Sequence, residues 1–184
     1  KVNLVGLLET KIKSNKFENI VNKMFSGWNN INNLGEHYNG RIWISWRPDY
    51  YKIQPKMRTA QVITCEITYV PLKLQFMLSR VYAHNTREER KELWETLVQL
   101  SSNCQKPWLI LGDFNSVLKM EDRMGGNPVA WSEVVDFQNC VDTCGLIELL
   151  QQGQKYTWND RNGDHRLFSK IDWMFINEIW LNTM

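Results

Sequence analysis

The chain has 184 residues, of which 43% are hydrophobic and 23% charged, and its formal net charge is +2. This composition is typical of one globular domain, and it excludes a strongly basic chain whose overall field would bind nucleic acid. Every apolar run is shorter than the about 18 to 20 residues that cross a bilayer, so no membrane partner is expected.

The first part of the chain predicts strands around one helix. A strand is predicted over residues 2–10, in which the apolar run 4–8 leads directly into Glu9. The spacing of apolar residues predicts an amphipathic helix over residues 14–25. Apolar and alternating segments predict three more strands. These are residues 40–46, 59–70 and 72–82.

The second part of the chain opens with a capping box. Thr86 and Glu89 are spaced so that the hydroxyl and the carboxylate each accept a free N–H at the start of a helix. The further elements predict a mixed α/β sandwich rather than a TIM barrel or a Rossmann fold. They are strands at residues 107–115, 154–159 and 168–177, and a helix at residues 132–144 that ends before Gly145.

The run over residues 107–115 carries the strongest functional signal. Its apolar part predicts a buried strand, Gly112 ends that part, and Asp113 and Asn115 follow. If the backbone stays extended, Asp113 and Asn115 point to the same side because they are two residues apart. One base or metal ligand would then lie beside a neutral amide at the end of a strand.

Two other apolar strands also carry an acid. Glu9 follows residues 4–8, and Asp172 lies within residues 171–176. An unpaired buried carboxylate costs several kcal/mol or acquires a raised pKa, so three such acids are expected to converge on a cation-binding site. The alternative for each acid taken singly is a turn residue or an ion pair with a nearby lysine.

The cysteines and several tryptophans are assigned to the interior. Cys140 and Cys144 have helical spacing but lack the second ligand pair of a zinc site, so all four cysteines are predicted to be reduced, partly buried thiols. Four tryptophans lie on predicted core faces. They are Trp43, Trp94, Trp108 and Trp173.

Four segments, in their order and approximate spacing, resemble the endonuclease/exonuclease/phosphatase superfamily, which includes DNase I and the apurinic endonucleases. Softer patterns resemble more narrowly the endonuclease domain of plant LINE-type (non-LTR) retrotransposons, and the similarity covers essentially the whole chain. The four segments are L-L-E-T-K at 7–11, V-Y-A-H-N at 81–85, L-G-D-F-N at 111–115 and K-I-D-W at 170–173. The softer patterns lie at 90–97, 125–126, 145–149 and 153–158.

This resemblance implies a fold and a cofactor. The fold is the DNase I-like α/β fold, a four-layer sandwich of two packed mixed β-sheets flanked by helices, with residues 1–184 forming a single domain. Glu9 is implied to bind a divalent metal, Mg²⁺ or Mn²⁺, because hard cations prefer oxygen ligands.

The resemblance also implies roles for five further residues. Asp113 would orient and deprotonate the attacking water, and Asn115 would hydrogen-bond the phosphate. Tyr82 and Asn85 resemble the pair that contacts the phosphate near the leaving oxygen, and Asp172 would hold the imidazole of a histidine. In such a site a metal neutralises charge, a base activates water and fixed dipoles stabilise the transition state.

Two features of the superfamily are not in the sequence. The asparagine-bearing strand upstream of the L-x-E-T strand is not present, and no histidine follows Asp172 to match the final Ser-Asp-His strand. The domain is therefore expected to be incomplete at both ends and inactive by itself. A truncated mobile-element copy and an incomplete gene prediction are both open as explanations.

The implied function is that of a Mg²⁺-dependent DNA endonuclease, with DNA as partner, a reverse transcriptase domain in the full-length polyprotein and a nuclear location. Two alternatives stay open: a phosphoesterase acting on lipid or inositol phosphates, and a non-catalytic remnant. Contacts to DNA phosphates are expected from basic residues in loops and helix starts. These are Lys11, Arg87, Arg123, Arg161 and Arg166.

Overall fold

The computed structural model describes residues 2–36, 41–150 and 152–184, and its elements fall into two units, Lys1–Tyr82 and Ala83–Met184. The first unit contains six strands and one helix in its described residues. They are β1 (Leu4–Leu8), α1 (Ser14–Met24), β2 (Asn29–Asn32), β3 (Ile42–Trp46), β4 (Tyr51–Arg58), β5 (Val62–Tyr69) and β6 (Leu74–Tyr82).

Two antiparallel ladders build the first unit. β3 lies between β1 and β2, with Leu4 opposite Trp46 and Leu8 opposite Ile42. β5 lies between β4 and β6, and its run of Val, Ile and Thr residues suits a pleated, buried strand. β3 contacts β6, and all five β3 residues are buried.

Helix α1 covers the β3 ladder with aromatic side chains. The Trp43 ring lies with its centroid 4.9 Å from that of Phe17 and 5.2 Å from that of Phe25. The apolar face predicted for this helix is only partly buried, because Val21 is its one fully buried residue while Met24 is 62% exposed. Phe17 on the helix and Phe25, its C-cap residue, are the rings that contact β3.

In its described residues the second unit has a three-stranded ladder, a small three-stranded sheet and three α-helices. Its elements are α2 (Arg87–Ser102), β7 (Trp108–Asp113), β8 (Arg123–Met124), α3 (Trp131–Thr143), β9 (Leu146–Glu148), β10 (Trp158–Asn159), β11 (Phe168–Ser169), β12 (Asp172–Asn177) and α4 (Glu178–Thr183). β12 pairs antiparallel with both β7 and β9, and β11 pairs with both β10 and β8.

Stacked aromatic rings fill the core of the second unit. The Phe137 centroid lies 4.8 Å from that of Trp94 and 5.0 Å from that of Phe114, so α3 is joined by rings to α2 and to the segment after β7. The four tryptophans assigned to the interior are buried, as predicted, at 0–6% exposure. The indole N–H of Trp173 donates to the buried carbonyl of Ser116 at 3.0 Å.

Several elements differ from the predictions. β4 was not predicted, because Pro55 and charged residues interrupt its pattern; the register shifts between Pro55 and Met57, as is usual where an edge strand holds a proline. β2, β9 and α4 were also missed, and the predicted strand at residues 168–177 is two strands, β11 and β12. Residue 40, at the start of one predicted strand, lies outside the described residues.

None of the helices in the described ranges combines the length and the apolar character needed to span a bilayer.

Candidate functional site

A tight turn follows Asp113 at the end of β7. Asn115 has a φ of 47°, in the left-handed region that asparagine tolerates better than most residues, and its backbone N–H donates to Asp113 Oδ1 at 2.8 Å. The backbone therefore does not stay extended through these positions. The turn, rather than strand alternation, fixes Asn115 relative to the Asp113 carboxylate.

The same turn holds the segment that leads to Asn85. Asn115 Nδ2 donates to the carbonyl of Ala83 at 2.8 Å, and the Ala83 N–H donates to the carbonyl of Asp113 at 2.8 Å. Both backbone groups of Ala83 are thus bonded to the Asp113 turn. Asn85, two residues further on, is exposed.

Asp172 lies directly opposite Asp113 in the antiparallel β7–β12 ladder. The two side chains leave the same face, and like charges placed opposite each other on a sheet destabilise it. The start of β12 is fixed by Thr157, whose Oγ1 accepts the N–H groups of Ile171 at 3.2 Å and Asp172 at 3.1 Å. The second unit therefore brings Asp113, Asn115 and Asp172 together at one end of its ladder.

A buried cation accompanies these acids. Arg90, on the first turns of α2, is 8% exposed. Burial is the main effect that lowers the pKa of Arg90, and the positive charge of Arg87 lowers it further. The negative charges of Asp136, Asp113 and Glu133 raise this pKa by smaller amounts. Sequence reasoning missed Arg90, although its position three residues before Leu93 on the apolar stripe was a usable signal.

Glu9 lies in the first unit, one residue beyond β1, with a φ of 52°. Its side chain is 52% exposed and forms an ion pair with Lys11 Nζ at 2.8 Å. The hydrogen bond and the charge of Glu9 raise the pKa of Lys11. Glu9 is therefore not the buried strand acid that was expected, and the alternative of an acid paired with a nearby lysine describes it.

Tyr82 and Arg41 share the electrostatic environment of Lys11. The Arg41 guanidinium carbon lies 5.2 Å from the centroid of the Tyr82 ring. Smaller effects on the pKa of Lys11 come from both residues, since Tyr82 raises it and Arg41 lowers it. The first unit thus places Glu9 and Tyr82 around one lysine, and Arg41 is a residue that sequence reasoning missed.

The donor set of Glu9 suits one kind of metal ion. Over residues 2–36, 41–150 and 152–184, no group of three or more His, Cys, Asp or Glu side chains could enclose a metal. Mg²⁺ does not need such a cage, because it keeps several waters and is bound through one or two carboxylates and substrate phosphates. An accessible carboxylate such as that of Glu9 fits this manner of binding.

The five basic residues expected to contact DNA divide into two groups. Three form ion pairs with carboxylates: Lys11 with Glu9, Arg87 with Asp136 and Arg123 with Glu133. The other two, Arg161 and Arg166, are exposed in the segment between β10 and β11. These two arginines are the more accessible cations for a phosphate backbone.

No protein-family model and no curated protein sequence matches this chain. Solved structures do match it. One is the endonuclease domain of TRAS1, a telomere-specific non-LTR retrotransposon, with a TM-score of 0.71 and 12% identity over 98% of this chain and 88% of that one. A second is the AP endonuclease LMAP from Leishmania major, with a TM-score of 0.72 and 13% identity over 96% of this chain and 70% of that one.

A third is the 3′ phosphatase NExo from Neisseria bound to a product DNA hairpin, with a TM-score of 0.63 and 20% identity over 96% of this chain and 76% of that one. At these identities the likeness establishes the fold. The predicted fold class is confirmed, since the chain has the α/β, DNase I-like fold of endonuclease/exonuclease/phosphatase superfamily structures.

Proposed function

We propose that this chain is the endonuclease domain of a LINE-type retroelement protein and that its site is built for metal-dependent hydrolysis of phosphodiesters in DNA. The observation that carries the proposal is the Asp113 turn, in which one carboxylate and the Asn115 amide are held by three hydrogen bonds of 2.8 Å. The similarity to a retrotransposon endonuclease domain over 98% of the chain supports it.

Asp113 is the proposed general base. The Asn115 N–H bonded to Oδ1 fixes the orientation of the carboxylate, which accepts a proton from the attacking water. The side-chain amides of Asn115 and Asn85 donate hydrogen bonds to phosphate oxygens as their negative charge grows. Fixed donors of this kind need no reorganisation during the reaction, which is the main source of their effect.

Glu9 would hold Mg²⁺ or Mn²⁺, and the bound ion would supply positive charge to the phosphate. Tyr82 is proposed to contact the phosphate beside the leaving oxygen. Asp172 is proposed to orient an imidazole. Thr157, through its bonds to the backbone of residues 171 and 172, keeps Asp172 in place.

DNA is the proposed substrate, and a reverse transcriptase domain of the same polyprotein and a nuclear location belong to the proposal. The Neisseria 3′ phosphatase structure contains a product DNA hairpin, which supports DNA as a ligand class for this fold. The exposed Arg161 and Arg166 are proposed phosphate contacts.

Metal binding tests the role of Glu9. We expect Glu9→Gln to weaken Mn²⁺ binding by about tenfold or more, equivalent to about 1.4 kcal/mol, when measured by titration calorimetry. Glu18→Gln is the matched control, because Glu18 is an exposed acid on α1. Equal affinities in the wild type and Glu9→Gln would contradict the assignment.

Salt dependence tests DNA as the partner. Affinity for a duplex oligonucleotide, measured by fluorescence anisotropy, should fall steeply between about 50 and 200 mM salt. Replacing Arg161 and Arg166 by Gln should reduce the salt slope by about 2, whereas replacing the exposed Lys52 and Lys73 should leave it unchanged. An affinity that does not depend on salt would argue against DNA.

Turnover separates the alternatives. We expect residues 1–184 alone to nick supercoiled plasmid at the background rate, because no histidine follows Asp172 in these residues. Removing one member of a cooperating catalytic group costs nearly as much activity as removing all of them. Nicking that Asp113→Ala abolishes would contradict this part of the proposal and support the endonuclease function directly. Release of inorganic phosphate from inositol phosphates would favour the phosphoesterase alternative.

A further inference from the structure

Arg90 occupies an unusual place for a charged residue. It is 8% exposed and lies on the same helical stripe as the buried Leu93, Trp94 and Leu97. Removing a guanidinium from water costs free energy unless its N–H groups find hydrogen-bond acceptors. The acceptors of Arg90 therefore indicate which part of the structure this buried side chain stabilises.

Those contacts are backbone carbonyls of the segment that carries Asn85. Arg90 Nη1 donates to the carbonyl of His84 at 3.1 Å and to that of Asn85 at 2.7 Å. Hydrogen bonds from a charged donor are stronger than neutral ones, and two of them here meet consecutive peptide groups. The direction of the peptide on each side of the Asn85 Cα is therefore fixed by one side chain.

The residues on either side of His84 and Asn85 are held by other contacts. Ala83 is bonded through its N–H to Asp113 and through its carbonyl to Asn115, and Thr86 begins α2 by accepting the N–H of Glu89. Each residue of the segment 83–86 thus has a bonded backbone group or a cap, and the two exposed residues among them are Asn85 and Thr86.

We infer that Arg90 is a positioning residue that acts through Asn85: it holds the 83–86 segment so that the Asn85 amide is aimed at a phosphate oxygen. This inference rests on the proposed function for the meaning of Asn85, while the ordering of the segment by Arg90 is a property of the free protein. The charge of Arg90 also acts on Asp113, so one buried cation contacts the Asn85 segment and lies in the field of the proposed base.

The choice of arginine follows from its geometry. Its planar guanidinium is always charged and presents N–H groups in fixed directions, whereas a lysine ammonium is a strongly hydrated point charge that shifts its pKa when buried. Arg90→Lys keeps a cation but loses the fixed pair of donors. Arg90→Gln removes the charge as well.

Backbone order in the free protein tests the ordering role. We expect NMR order parameters of His84, Asn85 and Thr86 to fall from about 0.85 to below about 0.6 in Arg90→Gln, with those of β7 unchanged. Lys91→Gln is the matched control, because it removes one positive charge from the neighbouring position of the same helix, where Lys91 pairs with Glu88. If Arg90→Gln does not fold, Arg90→Lys is measured instead. Unchanged order parameters in the folded variant would overturn the inference.

A double-mutant cycle on DNA affinity tests whether Arg90 acts through Asn85. We expect Asn85→Ala and Arg90→Lys each to weaken binding, by about tenfold and about fivefold, and the double variant to bind no more weakly than Asn85→Ala alone. A merely structural role would make the two effects multiply to about fiftyfold, and that result would overturn the inference. If wild-type binding shows no salt dependence, the proposed function fails, and the order parameters still decide the role of Arg90.

Discussion

Asn177, at the end of β12, joins three segments with one side chain. Its Oδ1 accepts the N–H groups of Trp108 at 2.9 Å and Trp180 at 3.1 Å, and its Nδ2 donates to the carbonyl of Lys106 at 2.9 Å. The bond to Trp108 is buried. Asn177 therefore fixes the start of β7 against the end of β12, two strands whose other ends carry Asp113 and Asp172.

We expect Asn177→Ala to lower the free energy of unfolding by about 2–3 kcal/mol, because the buried Trp108 N–H loses its acceptor. Urea unfolding followed by tryptophan fluorescence measures the change. Asn182→Ala, at an exposed position of α4, is the control and should change stability by less than about 0.5 kcal/mol. Equal stability of the two variants would show that Asn177 does not hold β7 and β12.

At the scale of elements, α2 and α3 are joined by an ion pair above their aromatic contact. Arg87 Nε lies 2.6 Å from Asp136 Oδ2, and the side chains are 41% and 27% exposed. The hydrogen bond from Arg87, the largest of several effects, lowers the pKa of Asp136. Glu133, in the first turn of α3, also has a lowered pKa, chiefly because its carboxylate accepts the N–H of Ala130.

A carboxyl group whose pKa is lower in the folded than in the unfolded state stabilises the fold above its unfolded pKa, and that stability is lost as the pH falls through the folded pKa. We therefore expect the free energy of unfolding to decrease below about pH 4, and Asp136→Asn to make the decrease shallower. At pH 7 the free energy of unfolding of Asp136→Asn should be lower than that of the wild type by about 1 kcal/mol or less, because the Arg87–Asp136 pair is partly exposed.

Urea unfolding between about pH 2 and pH 7 measures this difference. Asp142→Asn, an exposed acid on the same helix, is the control. The assignment would be wrong if the wild type and Asp136→Asn lost stability in parallel as the pH fell.

Long periodic elements are those that the sequence made predictable. α2 begins directly after the predicted cap Thr86, and α3 begins and ends within about one residue of the predicted bounds, because capping and the glycine at 145 mark these positions locally. β8, β10 and β11 have two residues each, and β11 pairs with both β10 and β8. The predicted strands at 154–159 and 168–177 contain β10 and β11, whereas β8 was not predicted, because its two residues carry no local pattern of a strand. β4 was hidden by Pro55, which an edge strand tolerates.

The candidate site follows the same division. Asp113 and Asn115 stand in one short segment and could be found from it, although the turn between them could not. The register that puts Asp172 opposite Asp113, and the bonds from Arg90 and Thr157, depend on contacts between residues distant in sequence. Local patterns therefore indicate candidate site residues more readily than the contacts that hold them.

At the scale of the whole molecule, the four free cysteines differ in how deeply they are buried. Cys65 and Cys140 are buried, and Cys104 and Cys144 are partly exposed. Burial raises the pKa of Cys65 to about 12 and also raises that of Cys104. A hydrogen bond from Cys140 lowers the pKa of Cys144, and a hydrogen bond from the Ser101 hydroxyl lowers it further. The same bond between the two thiols, followed by burial, raises the pKa of Cys140.

We expect iodoacetamide at about pH 8 to modify Cys144 first, since the thiolate is the reactive form and Cys144 combines access with the lowered pKa. Cys104 should follow, and Cys65 and Cys140 should react only as the chain unfolds. Peptide mass spectrometry at successive times gives the order. In denaturing urea all four thiols should react at similar rates, because each returns to a pKa of about 8.5. Modification of Cys65 before Cys144 in the native protein would contradict the burial of β5 and the hydrogen bond between Cys140 and Cys144.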